Sequence, residues 1–395
     1  MADQQAIVES ALTQLIDEFP PHATDEAEFW GAQFDAGLAW VNFPEGNGGL
    51  GLNRNHQRTV MAVLRKAGAS FGNIGRNGIG YGMGAPTVVA HGTEDQRSRY
   101  LRPLFTADEV WCQLFSEPGA GSDVAGVSTR ATLDGDEWIV NGQKVWTTLA
   151  HTSKWGMLMA RTDPDANKHA GLTYFIIDMI QDGVEVRPMR QITGEAEFNE
   201  VFFADARVSD ENRLGARGEG WAVSITTLMN ERVAIGAAPT PRGGGAIGEA
   251  VDLWRSTGST NGLKRDKLAS LWAQAEALRL TNMRASELAK HGTPGPEGST
   301  GKLQWADLQK KIYEFAVEIQ GSEALLYPKS YAMTRPTEPL TGRRDTQRNF
   351  LRSRANSIEG GTSEIMRNIL GERVLGLPGE PRVDKGTPWK DVPRT

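Results

Sequence analysis

The sequence predicts an α+β multidomain protein with an N-terminal helical domain, a middle antiparallel β-barrel domain and a C-terminal helical bundle. Two changes of pattern along the 395 residues carry this prediction. Apolar residues recur three or four apart at first, alternate with polar residues from about residue 111, and return to helical spacing near residue 218. We therefore expect domains at residues 1–110, 111–217 and 218–376, followed by a tail at residues 377–395.

In the N-terminal region, helical spacing covers residues 7–19, 56–67 and 95–105, and Pro20 ends the first of these helices. Residues 80–85 formally fit the dinucleotide-binding pattern GxGxxA, but glycines rather than a strand precede them. A glycine-rich connection is therefore the better interpretation of this segment.

In the middle region, apolar runs flank Asn141-Gly142, a residue pair typical of a tight hairpin turn. Further β-branched and aromatic runs at residues 172–178, 184–186 and 201–203 are separated by Gly, Pro and Asp. Short strands joined by turns, without helices between them, are typical of an antiparallel barrel or sandwich.

The C-terminal region has helical spacing over residues 221–229, 268–278 and 305–319, which predicts long helices packed as a bundle. From residue 377 on, the chain carries four prolines and predicts a poorly structured tail.

Composition excludes several classes of protein. The 43 basic and 49 acidic residues give a net charge of −6, which argues against nucleic-acid and membrane partners. The single cysteine, Cys112, excludes a disulfide framework and a cysteine metal cluster, and is expected to be a buried core thiol. The six histidines show no metal-binding spacing, so no metal is expected. With no secretory signal and no long apolar run, the sequence predicts a cytoplasmic enzyme.

Three segments have residue types that suit ligand binding. Residues 116–123, Ser-Glu-Pro-Gly-Ala-Gly-Ser-Asp, offer backbone N–H groups and the Ser122 hydroxyl to anionic oxygens. In residues 141–148, Trp146 and Thr148 alternate and so share a strand face that suits a planar heterocycle. In residues 358–365, Thr362 is placed to cap a helix whose N-terminus favours phosphate or carbonyl oxygen.

In this order and spacing the three segments closely resemble those of the acyl-CoA dehydrogenase family, which carries T/S-E-P-x-A-G-S-D, then N-G-x-K-x-W-x-T, then a late G-T-S-E-I helix start. The resemblance covers nearly the whole chain. It implies a FAD enzyme with an N-terminal helical domain, a middle β-domain and a C-terminal four-helix bundle, with the flavin between the β-domain and the bundle.

The resemblance also implies site residues. The positions that match flavin contacts in the family are Gln113, Phe115 and Ser116 along the ring, Gly121 and Ser122 at the pyrophosphate, Trp146 and Thr148 beside the ring, and Thr362 and Glu364 in the late helix. For the substrate, Ser122 and Arg232 match pocket residues. A backbone N–H near Gly360 is an expected donor to the thioester oxygen, where enolate-like charge develops.

The catalytic base requires a choice. Many family members carry it as Glu in Tyr-Glu-Gly-Thr, but the corresponding position here is Gly360. The isovaleryl and long-chain types instead use a Glu on the first bundle helix, where Glu231 stands near the edge of an apolar face. We therefore predict that Glu231 is the base. Glu359 is the rival, and a chain in which neither acts is the remaining alternative.

Two departures from the family bear on oligomeric state. The Arg-x-x-Phe-Gly motif, whose Arg reaches the FAD of a neighbouring subunit, is missing between residues 253 and 271. Glu318 stands where the family often has Gln near the adenine. Some bacterial relatives, including steroid side-chain dehydrogenases, pair two different chains. A homo- or hetero-oligomer, dimer or tetramer, is therefore expected.

The resemblance favours α,β-desaturation of an acyl-CoA in fatty-acid β-oxidation and lipid metabolism, with electrons passing to an electron-transfer flavoprotein. Two alternatives stay open. One is a flavin monooxygenase on the same fold, and the other is a non-catalytic subunit of a hetero-oligomeric dehydrogenase.

Overall fold

The N-terminal region is helical. The computed structural model describes residues 2–236, 241–288, 297–327, 332–337, 345–382 and 384–393. Its first helices confirm the three predicted by spacing, and a π-helical turn at Gly80–Gly84 leads into the fifth, as a glycine-rich connection would. The helices are α1 (Ala2–Glu18), α2 (Glu26–Asp35), α3 (Gln57–Lys66), α4 (Gly72–Arg76), α5 (Ala85–His91) and α6 (Glu94–Phe105).

The middle region forms one sheet of eight strands, in the order β6-β7-β3-β2-β4-β5-β8 with β1 paired to β4. The predicted middle β-domain is confirmed, and most of its strand pairs are antiparallel. The sheet is nevertheless mixed, because β1 and β2 both pair with β4 in parallel. Turn residues in the sequence indicate only the pairing of strands that follow one another along the chain. β1 and β2 are each separated from β4 by at least one other strand, so no turn residue indicates their pairing with it. The strands are β1 (Trp111–Leu114), β2 (Arg130–Asp134), β3 (Glu137–Thr148), β4 (Trp155–Arg161), β5 (Leu172–Asp178), β6 (Val184–Pro188), β7 (Phe198–Ser209) and β8 (Arg213–Leu214).

The predicted hairpin turn at Asn141-Gly142 is also wrong, since both residues lie inside β3. The register against β7 shifts there, and the Asn141 amide exchanges two hydrogen bonds with Asp205 across the strands. A Cβ at Gly142 would lie 2.5 Å from the Thr129 hydroxyl oxygen, so glycine permits close approach rather than a turn. The β2–β3 hairpin turns instead between Asp134 and Glu137.

The two faces of the sheet bury different cores. One face encloses the Cys112, Leu114, Trp138 and Phe175 side chains. Cys112 is fully buried, as expected, and burial raises the pKa of its thiol to about 12. Residues of the opposite face, such as Trp111, pack with the N-terminal helices and the first bundle helix.

The C-terminal region confirms the predicted long helices. Leu271, Leu308, Ile312 and Phe315 form its core, and the helix at Glu297–Gln320 packs against all the others of this region. Among the helices in the described ranges, none is long and apolar enough to cross a membrane. The helices are α7 (Gly220–Gly236), α8 (Ala246–Thr257), α9 (Gly262–Leu288), α10 (Glu297–Gln320), α11 (Thr346–Arg352) and α12 (Ser363–Ile369). The domain boundaries and the cytoplasmic location stay predictions from the sequence.

Residues 384–393, which we call the C-terminal strap, are ordered against the sheet rather than poorly structured. The Trp389 side chain is buried beneath the guanidinium of Arg161, 4.4 Å from the ring centroid. The backbone N–H of Trp389 donates to Ala166 O at 2.9 Å. Lys168 joins Asp384 at 3.0 Å. Proline content predicted disorder here, but one buried aromatic ring and these bonds hold the segment in place.

Candidate active site

A buried ion pair joins the first two motifs. Lys144 Nζ donates to Glu117 Oε1 at 2.8 Å and to the carbonyl oxygens of Phe115 and Met159 at 3.0 and 2.9 Å. Glu117 also accepts three hydrogen bonds from Ser128 and Thr129. Burial alone would raise the pKa of Glu117, but the charge and hydrogen bonds of Lys144 outweigh it and lower that pKa to about 2. Burial lowers the pKa of Lys144, and the Glu117 carboxylate opposes this shift. The ammonium has three hydrogen-bond acceptors, Glu117 and the two carbonyl oxygens.

The loop of the first motif leaves its backbone open. A Cβ at Gly119 or Gly121 would meet no heavy atom within 4 Å, and Ser122 is exposed. Asp123 fixes the end of the loop through Lys168, at 2.6 Å, which also binds Asp384 of the strap. The loop therefore has open space beside Gly119 and Gly121 and an exposed hydroxyl at Ser122, so an anionic group could approach it closely.

Trp146 stands in a strained, exposed position. Its φ of 58° lies in the left-handed region, which costs a bulky residue about 1–3 kcal/mol, and the β3–β7 register is irregular there. The indole is 58% exposed and contacts Phe198 edge-on, with ring centroids 5.9 Å apart. Thr148 is half-buried, while Thr147 between them is buried and its hydroxyl has no hydrogen-bond partner. A large apolar surface therefore faces outward.

Strand β1 points one polar side chain at the bundle. Gln113 Nε2 lies 3.4 Å from Glu231 Oε2 on α7, so two residues 118 apart in sequence meet. Phe115 on the same face is buried and packs edge-on to Tyr174 at 5.9 Å. Ser116 accepts the Val145 N–H at 2.9 Å through its carbonyl oxygen, which brings the second motif alongside.

The third motif forms a tight turn before α12. Gly360 and Gly361 have φ of 64° and 90°, and a Cβ at Gly361 would lie 2.6 Å from Met366 Cε. As predicted, Thr362 caps α12, accepting the Ile365 N–H at 3.1 Å through its hydroxyl. Glu364 instead lies on the helix surface, paired with Arg367 at 3.1 Å.

The two candidate bases have different partners. Both carboxylate oxygens of Glu359 accept from the Arg352 guanidinium, at 3.1 and 2.8 Å. Glu231 is half-buried on the inner side of α7 beside the amide of Gln113. Glu359 is therefore bound by Arg352 close to its own turn, whereas Glu231 reaches across to β1.

Arg352 also ties the third motif to the sheet. It lies 3.7 Å from Glu197, which is buried, and 5.9 Å from the ring centroid of Phe198. Burial raises the pKa of Glu197, and the nearby arginines only partly offset this. Since Phe198 contacts Trp146, the third motif lies next to the second.

Sequence reasoning missed three residues of this region: Glu197, Arg352 and Lys302. Lys302 on α10 is 7% exposed and donates to Gly361 O at 2.6 Å. Its position three residues before Trp305 continues the apolar stripe of the helix, and a charge on a buried face is a usable signal. The backbone of Arg232 belongs to α7, but its side chain lies outside the described residues. Glu318 pairs with Lys267 at 2.6 Å on the bundle surface.

Family models match the chain along its length. They are acyl-CoA dehydrogenase N-terminal domain at residues 1–108, middle domain at residues 112–206 and C-terminal domain at residues 218–375.

Individual relatives agree. Acyl-CoA dehydrogenase IpdE1 of Mycobacterium tuberculosis is 39% identical over 362 residues, covering 91% of this chain and 90% of that protein. The human mitochondrial short-chain specific acyl-CoA dehydrogenase is 26% identical over 349 residues, covering 86% and 80%. Among solved structures, the ChsE4-ChsE5 complex from M. tuberculosis matches with a TM-score of 0.70 at 26% identity, covering 96% of this chain and 99% of that chain. The Tcur3481-Tcur3483 steroid ACAD matches with a TM-score of 0.72 at 24% identity, with the same coverage.

Proposed function

The chain belongs to the acyl-CoA dehydrogenase family, and we propose that it desaturates an acyl-CoA thioester between Cα and Cβ, with Glu231 as base and FAD as cofactor. Membership makes it an oxidoreductase that oxidises acyl-CoA. The proposed role of Glu231 rests on its contact with Gln113. This contact places the Glu231 carboxylate beside β1, the strand that leads into the first motif.

The residues present fit a flavin dinucleotide. Open space adjoins the glycines of residues 116–123, a large indole faces outward at Trp146, and the buried hydroxyls of Thr147 and Ser363 have no hydrogen-bond partner. When bound, FAD supplies a ring that accepts the substrate β-hydrogen as hydride. The residues proposed to hold it are Gln113, Ser116, Gly121, Ser122, Trp146, Thr148, Thr362 and Glu364, with Phe115 contributing through its backbone because its ring is buried.

Glu231 and the Gly360-Gly361 turn are proposed to act on different atoms of the thioester. The carboxylate of Glu231 takes the α-proton, and donors at the thioester oxygen stabilise the enolate-like charge that develops. We propose that the Gly360 N–H is one donor, since a left-handed glycine leaves room for close approach of the substrate. Ser122 and Arg232 are proposed to contact the rest of the substrate.

Trp146→Ala should weaken FAD retention about tenfold, equivalent to about 1.4 kcal/mol, because the stacking surface is lost. The flavin-to-protein ratio after gel filtration measures this. Ile180→Ala is the matched control, since Ile180 is a large exposed apolar residue outside the three motifs. Full FAD content in Trp146→Ala would remove this residue from the proposed cofactor site.

We also propose an electron-transfer flavoprotein as acceptor and a hetero-oligomer as the working assembly. Two similar structures carry paired names, ChsE4-ChsE5 and Tcur3481-Tcur3483, and this chain lacks the Arg-x-x-Phe-Gly motif. At the place expected for an adenine contact, Glu318 already has Lys267 as its partner. A partner chain would then supply the missing cross-subunit contacts.

Anaerobic mixing with a panel of acyl-CoA thioesters tests the reaction. Bleaching of the flavin absorbance, with formation of the enoyl-CoA, is the expected result. No bleaching by any thioester, with oxygen-dependent turnover of another compound, would favour the monooxygenase. A chain that folds but neither retains added FAD nor turns over, whether alone or co-purified with a partner chain, would favour the non-catalytic subunit.

A further inference from the structure

The side chain of Lys168 joins the loop of the first motif to the C-terminal strap. Its ammonium lies 2.6 Å from Asp123 Oδ2, at the end of that loop, and 3.0 Å from Asp384 Oδ2, at the start of the strap. Burial alone would lower the pKa of Lys168, but its hydrogen bonds to the two carboxylates outweigh this and raise that pKa. One cation therefore holds together two carboxylates that would repel each other without it.

A second connection between strap and loop runs through the buried guanidinium of Arg161. It donates to Lys168 O at 2.6 Å and to Ala125 O at 2.7 Å, so it holds together the two segments that carry Lys168 and Asp123. The Trp389 ring of the strap lies against this guanidinium, 4.4 Å away, in a cation–π contact. The strap is therefore linked to the loop through two cations.

The glycine segment of the loop lies between two sets of backbone hydrogen bonds. Glu117 and Ala120 exchange a pair at 3.0 Å each, and the Gly126 N–H donates to Asp123 O at 2.8 Å. A Cβ at Gly121, between them, would meet no heavy atom within 4 Å, so that side of the backbone is open. Since glycine has more backbone freedom than other residues, the position of this segment depends on how the end of the loop at Asp123 is held.

We propose that Lys168 is a positioning residue, which fixes the first-motif loop at Asp123 and makes this fixation depend on the strap. The inference rests on the proposed function, because that loop is proposed to hold FAD. A loop that is already held in its bound conformation loses less freedom when the ligand binds, so the affinity is higher. The strap thus raises cofactor affinity through Lys168.

Hydrogen exchange of backbone amides in the FAD-free chain tests the coupling of strap and loop. Asp384→Asn weakens the pair on the strap, so the peptide of residues 117–126 should exchange about threefold faster while the other strands keep their rates. Lys168→Met removes both pairs and should have a larger effect, whereas Lys168→Arg keeps the charge and should restore most of the protection. Lys390→Met is the matched control, because Lys390 lies on the same strap but pairs with Asp165.

Titration of the FAD-free chain with FAD, followed by flavin fluorescence, tests the consequence for the cofactor. The dissociation constant should rise about tenfold in Lys168→Met and about threefold in Asp384→Asn. In Lys168→Arg and in Lys390→Met it should stay within about twofold of the unaltered value.

Three outcomes would overturn the inference. If exchange of residues 117–126 is unchanged in Asp384→Asn and Lys168→Met, the strap does not hold the loop. If exchange rises but the FAD dissociation constant does not, the loop is held without effect on the cofactor. If the unaltered chain binds no FAD, the proposed function fails and this inference with it, whatever the exchange shows. Should Lys168→Met not fold, Asp384→Asn decides on the same two measurements.

Discussion

Glu231→Gln should lower acyl-CoA-dependent flavin reduction by about 10²–10⁴-fold while FAD content and melting temperature stay unchanged. Glutamine keeps the size of the side chain and its contact with Gln113, but it cannot take up a proton. Stopped-flow absorbance after anaerobic mixing with the best thioester measures the rate.

Glu359→Gln is the matched control for this experiment. Arg352 already holds both oxygens of Glu359, so the substitution should change the rate by less than about threefold, although it weakens an ion pair. The reverse pattern, with a large loss in Glu359→Gln and little in Glu231→Gln, would move the base to the turn before α12.

Lys144→Met should destabilise the fold by about 3–5 kcal/mol, because it leaves the buried carboxylate of Glu117 without its counter-ion. Urea unfolding measures this loss. Adding Glu117→Gln to Lys144→Met should recover part of it, since no buried charge then remains. Glu185→Gln, which breaks an exposed pair with Arg187, is the control and should leave the urea midpoint almost unchanged. If Lys144→Met and Glu185→Gln had equally small effects on stability, Lys144 would not be the counter-ion that a buried Glu117 carboxylate requires.

The Lys144–Glu117 ion pair also predicts how the stability of the fold changes with pH. The folded-state pKa of Glu117, about 2, lies below its ordinary value of 4.5. Its stabilising contribution is therefore complete above pH 4.5 and is lost as pH falls towards 2. This part of the acid sensitivity should be absent from Lys144→Met with Glu117→Gln.

Local sequence signals predicted the elements better than their pairing. Helical spacing identified α1, α3, α6, α7, α9 and α10, and the cap at Thr362, because both depend on neighbours within one turn. The parallel pairing of β1 with β4 and the place of Asn141 inside β3 depend on contacts across many residues, which turn propensity does not report.

In the candidate site too, the sequence predicted local motifs but not the contacts between distant residues. Its three motifs were visible in the sequence because each is a short run with an unusual composition. The meeting of Gln113 with Glu231, and of Lys302 with Gly361, depends on how α7 and α10 pack on the sheet and on each other. The left-handed backbone at Trp146 had no local signal, since glycine or asparagine is expected in that conformation.

The strap gives the helical region an anchor at each end. The chain enters α7 from β8 and, after α12, returns to the sheet, where Trp389 is buried. A helical region joined to the sheet at both of its ends can adopt fewer separated arrangements than one joined by a single linker. The gain in conformational entropy when it separates from the sheet is therefore smaller. The sheet and the helices should thus behave as one cooperative unit, and they should move relative to each other by small adjustments rather than by a swing of the whole bundle.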